Sequence, residues 1–343
     1  MIKLAIIGTG MMANIIAKEI NDGTQELEVY AVLSRTEQKA FLFGERYSIP
    51  SDRRYCKALD LFKDEKVEAV YIATPTSEKE HYLSLAIAYG KHVLLEKPIP
   101  TSLSALALYE KAKVKDLVVL DATHCVHNVL MQTIHDIASE HVGRVENIEV
   151  KFCWPDCETG SNTLNPALEP LGAMGDLGWY TARTLVEFIE DVFDVSSYCV
   201  VNERGAVVES RITGYSRAIS FTLFASYRGA TASQYLFLGG SMGEVIIKDF
   251  VMPYWGSFVY GDIQRFSDIT VRSGFKPFLE KKKKKAYFSG TQHGNMLLGF
   301  SLAIESPQQR ERVRKSFEKA IRAALFLEVA HVGAKSIAIK GGA

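Results

Sequence analysis

The sequence predicts two domains of mixed α/β class. The first has a doubly wound parallel sheet, and the second is an α+β domain built on a large open, mostly antiparallel sheet. Three observations carry this reading. Near-continuous apolar runs alternate with helical patterns in the first third of the chain, as strands buried on both faces of a parallel sheet require. A glycine turn joins the first run to the first helix. Beyond residue 122, strand-like runs follow one another without intervening helices, which implies antiparallel pairing. The domains are set at 1–121 and 122–343, since a chain of 343 residues exceeds one ordinary domain.

In the first domain, strands are expected at 3–8, 28–34, 67–74, 92–96 and 116–121. Helices are expected at 11–20, ending near Gly23, and at 37–47 behind Thr36 as N-cap. Ser77-Glu78-Lys79-Glu80 has a capping-box pattern and opens a third helix that stops at Gly90. This βαβαβ order implies parallel pairing. In the second domain a helix is expected at 128–139, a strand at 146–154, a loop at 155–170 and a helix at 176–191. Strands follow at 196–201, 218–227, 232–238 and 243–251, with turns at Arg204-Gly205 and Arg228-Gly229. Helices return at 290–305 and 307–332, the second with Ser306 as N-cap and Pro307 in first position. The five lysines at 281–285 read as a solvated loop or edge strand, where lysine discourages sheet-to-sheet association.

Composition excludes several classes. Lysine plus arginine balance aspartate plus glutamate at 40 each, so overall charge points to neither a nucleic-acid nor a membrane partner. No apolar run approaches about 18 residues, so no membrane span is expected. Five scattered cysteines (Cys56, Cys125, Cys153, Cys157, Cys199) suggest a reducing compartment rather than a disulfide framework. Cys153 and Cys157 lack a second Cys/His pair, and no metal is expected. The first residues read as a strand rather than a secretory leader, so a cytoplasmic location is expected.

Gly8-Thr9-Gly10-Met11-Met12-Ala13 lies between a strand and a helix, the context of a Rossmann dinucleotide fingerprint. Gly8 permits the tight turn and Gly10 lets the backbone approach a pyrophosphate. Ala13 is small enough for close helix–strand packing. Helix N-terminal amides then face the phosphates. The tip of the second strand reads Leu33-Ser34-Arg35-Thr36, without the carboxylate that takes an NAD ribose hydroxyl. Ser34 and Arg35 suit a 2′-phosphate, so NADP is expected, with NAD as the alternative. Glu96-Lys97-Pro98 follows an apolar strand, beyond whose carboxyl end ligands bind in such sheets. A lysine beside a cationic nicotinamide and partly desolvated would hold its proton less tightly, as a general acid/base near neutral pH requires. The plain alternative is a surface lysine in a turn.

Thr74-Pro75-Thr76, His81, Gly90-Lys91-His92-Val93 and Glu96-Lys97-Pro98 together resemble the Gfo/Idh/MocA oxidoreductase family. Gly172-Ala173-Met174-Gly175-Asp176-Leu177-Gly178-Trp179-Tyr180 is similar to that family's Gly-rich Asp-x-Gly-x-His/Tyr motif, in its tyrosine form. That form resembles the branch of dimeric dihydrodiol dehydrogenases, glucose–fructose oxidoreductases and NADP-dependent D-xylose dehydrogenases. Gly243-Glu244-Val245 also fits the family. The resemblance implies a site between the two domains, with Thr74, Pro75, Thr76, His81, Glu96 and Lys97 on the cofactor. It implies Lys97 as the acid/base or the residue that positions it, Tyr180 as the group that donates or accepts the proton of the reacting hydroxyl or carbonyl, and Asp176 orienting the lysine and the substrate. Spaced four apart, Asp176 and Tyr180 would share a helix face.

Two departures are visible. Arg183 stands where many relatives carry aspartate, and it could pair with an acidic group or take an anionic substrate. His127 and Asn128 stand in a stretch where relatives often place arginine near proline. All three enter as substrate candidates. The resemblance implies hydride transfer between a nicotinamide and a small polyhydroxylated substrate such as a sugar, polyol or dihydrodiol. The alternative is a non-catalytic cofactor-binding sensor. An open sheet needs a cover, so a homodimer or homotetramer through that sheet is expected.

Overall fold

The structure is a computed structural model that describes residues 1–23, 26–155, 162–191, 193–252, 266–275 and 277–339. Cys157 lies outside the described residues. The chain divides into two compact units: Met1–His124 with His293–Ile321, and Cys125–Gln292 with Arg322–Ala343.

The first unit holds β1 (Ile2–Ile7), α1 (Met11–Gly23), β2 (Leu27–Leu33), α2 (Glu37–Arg46), β3 (Arg54–Tyr55), α3 (Ala58–Lys63) and β4 (Ala69–Ile72). It continues with α4 (Thr76–Ala88), β5 (His92–Leu95), α5 (Leu103–Val114) and β6 (Val119–Asp121). Six strands run in the order β3-β2-β1-β4-β5-β6, every pair parallel. The parallel, doubly wound sheet expected from the apolar runs is therefore present. Leu4, Ile6, Ala69, Tyr71, Leu94 and Leu120 are fully buried in it.

Residues 293–321, which the sequence pattern grouped with the second half, pack with this unit. Met296, Leu297, Phe300 and Ala303 recur at one-face helical spacing and join the sheet's core cluster. A second difference lies at α4. Its N-cap is Pro75 and no side chain caps it, so the capping box read at Ser77-Glu78-Lys79-Glu80 does not form. Gly90, at φ +71°, leaves the helix in the left-handed region, as a terminating glycine does.

The second unit holds α6 (Val129–His141), β7 (Val145–Cys153), α7 (Gly172–Asp176), α8 (Gly178–Leu185), β8 (Phe193–Val201), β9 (Val207–Ser216) and β10 (Ile219–Ser226). It continues with β11 (Ser233–Gly240), β12 (Glu244–Lys248), β13 (Phe266–Ser273) and β14 (Glu280–Tyr287). Along the chain two helices follow, α9 (Gln292–Glu305), which belongs to the first unit from His293 on, and α10 (Pro307–Val332), and then β15 (Lys335–Ala338) of the second unit. Helix α10 contributes to both units. Nine strands are ordered β14-β13-β12-β11-β7-β10-β9-β8-β15. They are antiparallel except at β10/β7 and β15/β8.

Alternation along the strands gives this sheet two unlike faces. Ile148, Val150, Leu223, Leu236, Val245 and Ile269 are buried on the face against which α6, α7 and α8 pack. Glu149, Thr222, Phe237, Ile246 and Thr270 are in register across the other face, which stays partly open. The lysines 281–285 lie on edge strand β14. Instead of one helix at 176–191, two short helices meet at Leu177. No helix among the described residues is long and apolar enough to cross a membrane.

Candidate active site

In the first unit the strand ends β1, β2, β4 and β5 each deliver a candidate. Gly8 has φ +107°, and a Cβ there would lie 2.7 Å from the Ala73 carbonyl oxygen, so only glycine fits. Its N–H donates to Leu33 O at 2.9 Å, which ties the turn to β2. Gly10 differs, because no atom lies within 4 Å of where its Cβ would stand. Ala13 is fully buried at the helix–strand contact, while Met11 is exposed and Met12 half-buried.

Asn14 was not singled out by the motif, yet it holds the turn. Its Nδ2 donates to Gly10 O at 2.8 Å and Thr9 O at 3.2 Å. Its Oδ1 accepts from Arg46 Nη1 at 2.7 Å and from the Tyr47 hydroxyl at 3.0 Å.

At the tip of β2, Ser34 is buried and its N–H donates to Tyr55 O at 3.0 Å. Arg35 is exposed. Thr36 Oγ1 accepts from Lys39 N at 3.4 Å and caps α2. Burial, aided by Glu78, holds the Tyr82 hydroxyl above its usual range, and the Arg35 charge works against this. Arg35 therefore stands within electrostatic reach of α4.

Beyond β5, Glu96 is buried and accepts from the Tyr71 hydroxyl. Burial raises its carboxyl above the usual range, opposed by that hydrogen bond and by the charges of Lys97 and Lys79. The Lys97-Pro98 peptide is cis. Beyond β4, Thr74 Oγ1 is buried with no hydrogen-bond partner. Pro75 and Thr76 open α4. His81 is exposed on α4, its ring 5.2 Å from that of Tyr82. The inward position on this helix belongs to Lys79, which carries three hydrogen bonds considered below. The buried face of α4 (Lys79, Leu83, Ala86, Ile87) was the sequence signal for it. The open space at Gly10, the solitary Thr74 hydroxyl and the carboxylate-free tip of β2 all fit a dinucleotide.

In the second unit Gly172 has φ +48°, and a Cβ would come 2.4 Å from Val207 O, so α7 begins hard against β9. Asp176 ends α7, and its Oδ2 accepts from the Tyr227 hydroxyl at 2.8 Å. Tyr180 on α8 is buried with its ring 5.4 Å from Phe152, at 64° to it. Tyr227 lies just past β10, where no motif marks it.

The substrate candidates separate. Arg183 is fully buried and ion-paired with Glu187 four residues on, so of its two readings the acidic partner is realised. Asn128 is buried and its Oδ1 accepts from Leu130 N at 3.4 Å, capping α6. His127 is half-buried in the short 3-10 turn His124–His127. In the first unit, buried His124 lies 4.7 Å from His293, ring to ring. Burial and the His124 charge push the His293 imidazole well below its usual range.

Comparison with known proteins places this arrangement. Residues 2–122 match the Gfo/Idh/MocA family, described as an oxidoreductase family with an NAD-binding Rossmann fold. An uncharacterized oxidoreductase of Schizosaccharomyces pombe is 34% identical over 173 residues, 45% of each chain. The match thus spans less than half the length of that relative. A dTDP-3,4-didehydro-2,6-dideoxy-alpha-D-glucose 3-reductase of Saccharopolyspora spinosa is 26% identical over 237 residues, 66% of this chain and 69% of its own. The 3-ketoreductase KijD10 of Actinomadura kijaniata, solved with NADP and TDP-benzene, shares the fold over 99% of both chains (TM-score 0.82, 20% identity). The aldose-aldose oxidoreductase of Caulobacter crescentus shares it over 96% of this chain and 97% of its own (TM-score 0.75, 18% identity). Over residues 2–122, about a third of its length, the chain is thus similar to the Gfo/Idh/MocA oxidoreductase family.

Proposed function

We propose that the protein is an NADP-preferring oxidoreductase that transfers hydride between a nicotinamide and a carbonyl or hydroxyl carbon of a sugar, polyol or dihydrodiol. The observation that carries this is the end of β5. Buried Glu96, held by Tyr71, presents Lys97 on the same strand-end edge as the Gly8–Gly10 turn. Relatives named as sugar 3-reductases favour a keto-sugar among these substrates.

Gly8, Thr9, Gly10, Met11 and Met12 would hold the pyrophosphate, and Ser34 and Arg35 the 2′-phosphate. Thr74, Pro75, Thr76, His81, Glu96 and Lys97 would line the nicotinamide end. The bound cofactor supplies or accepts hydride. Carbonyl reduction also consumes a proton, which Tyr180 delivers to the substrate oxygen. Lys97 supports that transfer as acid/base, and Asp176, fixed by Tyr227, orients the group.

The test is the appearance of reduced nicotinamide with NADP⁺ and NAD⁺ across aldoses, polyols and dihydrodiols, and its consumption with nucleotide-linked keto-sugars. Wild type with no turnover on either panel, despite tight NADPH binding, would favour the second reading, a cofactor-binding sensor. That reading draws on Arg183 and Asn128, whose side chains serve their own unit and leave substrate recognition unassigned.

Arg35→Ala should weaken NADPH binding about tenfold, ~1.4 kcal/mol, and leave NADH binding unchanged. Equal losses for both cofactors would remove the 2′-phosphate role.

We further propose a homodimer or homotetramer through the open sheet face, which carries Phe224, Tyr235, Phe237 and Ile246 beside exposed Tyr215. Phe237→Asp should give single chains in sedimentation while the wild type sediments as a multiple. A single-chain mass for wild type at micromolar concentration would end this proposal. Cys56, Cys153 and Cys199 are free thiols, which suits the cytoplasm proposed as its location.

A further inference from the structure

We infer that Lys79 is the positioning residue of the Lys97 segment: its ammonium clamps the Lys97-Pro98 backbone and sets a like charge beside Lys97. This rests on the role proposed above for Lys97. Lysine is almost never fully buried, because its long stem lets the charge reach water. Here Lys79 is 2% exposed. Its Nζ donates to Lys97 O at 2.8 Å, Pro98 O at 2.9 Å and Thr76 Oγ1 at 3.2 Å. An ammonium has three N–H donors, and these three acceptors match them. Thr76 begins α4, so the clamp joins the first turn of that helix to the segment leaving β5.

Packing alone does not call for this residue. Burying a charge is costly, and a neutral donor could satisfy both carbonyls. What a neutral donor could not do is act on Glu96. That carboxylate is buried, accepts from Tyr71 and feels both Lys97 and Lys79. The Lys79 ammonium, held 2.8 Å from the Lys97 carbonyl oxygen, is a like charge beside Lys97, and a nearby like charge makes a lysine give up its proton more readily. Lys79 thereby fixes where the Lys97 backbone stands and how freely its side chain exchanges a proton.

Two substitutions separate these effects. Lys79→Met removes donors and charge. Lys79→Gln keeps two N–H donors for the carbonyls and removes the charge and the donor to Thr76. The 343-residue chain, without cofactor, is labelled with trace acetic anhydride over a pH series, and each lysine is read by peptide mass spectrometry. The midpoint of Lys97 should rise by about one pH unit in Lys79→Gln, because a like charge has gone, while exposed Lys39 keeps its midpoint. Lys79→Met should show the same rise with a lower Tm; if it does not fold, Lys79→Gln decides alone.

An unchanged Lys97 midpoint in Lys79→Gln would overturn the inference. The labelling needs no turnover, so absence of activity in wild type would count against the proposed reaction without touching this result. Where turnover is found, the pH limb belonging to Lys97 should move with the label. A limb that stays in place while the enzyme remains active would also overturn the inference.

Discussion

Lys97→Ala should lower kcat by about 10²- to 10⁴-fold, the range a positioned general acid/base contributes, while the Kd for NADPH stays within about threefold. The expected split follows from where the parts of the site lie. Gly8, Gly10 and the Asn14 bonds that hold their turn belong to β1 and α1, and the substitution at the end of β5 leaves them in place. Glu96 also keeps its Tyr71 hydrogen bond and the Lys79 charge, so the segment retains its anchors. Steady-state rates on the first active substrate, beside an NADPH fluorescence titration, measure both quantities. A parallel loss of binding and turnover would make Lys97 a structural or cofactor-holding residue.

The two fingerprint glycines should differ in stability while both lose cofactor affinity. Gly8→Ala puts a Cβ 2.7 Å from a backbone oxygen at φ +107°, and neither can yield cheaply. The expected cost is about 1–3 kcal/mol of stability, with a lower Tm and weaker NADPH binding. Gly10→Ala meets nothing within 4 Å and has no positive φ to relieve. Its stability should change by no more than about 0.5 kcal/mol, the size of an ordinary surface substitution. Its NADPH affinity should nevertheless fall about tenfold or more, because the new methyl occupies the space through which a phosphate approaches. Denaturant curves and cofactor titrations on both variants test the contrast. Full affinity in Gly10→Ala would mean that the pyrophosphate does not pass over this turn.

The parallel sheet was legible because its strands are apolar on both faces and its first turn has a ligand's geometry written in glycines. The second sheet was legible only where alternation was strong. Strand β9 mixes Glu209, Ser210 and Arg211 into its run, and β14 is nearly all lysine, a residue depleted from strands. Pairing with β13 at every position makes β14 a strand, and such pairing is invisible locally. At α4 the eye goes to His81 because histidine is chemically versatile. The phase of Leu83, Ala86 and Ile87 points instead to Lys79, two positions earlier. The motif singles out Asp176 and Tyr180, but the break at Leu177 and the partner Tyr227 arise from contacts between distant segments. The cap at Asn128 could have been read, since asparagine before an apolar helical run is a standard start signal.

The first unit is discontinuous along the chain. Met296, Leu297, Phe300 and Ala303 complete the core of a sheet whose last strand ends at Asp121. During synthesis, residues 1–121 leave the ribosome long before that cover exists, and the nascent sheet must wait for it. At the ordinary pace of about 5–20 residues per second, the apolar face stays unshielded for many seconds. A gene fragment cut after residue 121 would make that wait permanent, and its product should be retained by chaperones or lost to inclusion bodies. Appending 293–321 through a short linker should restore a soluble nucleotide-binding domain.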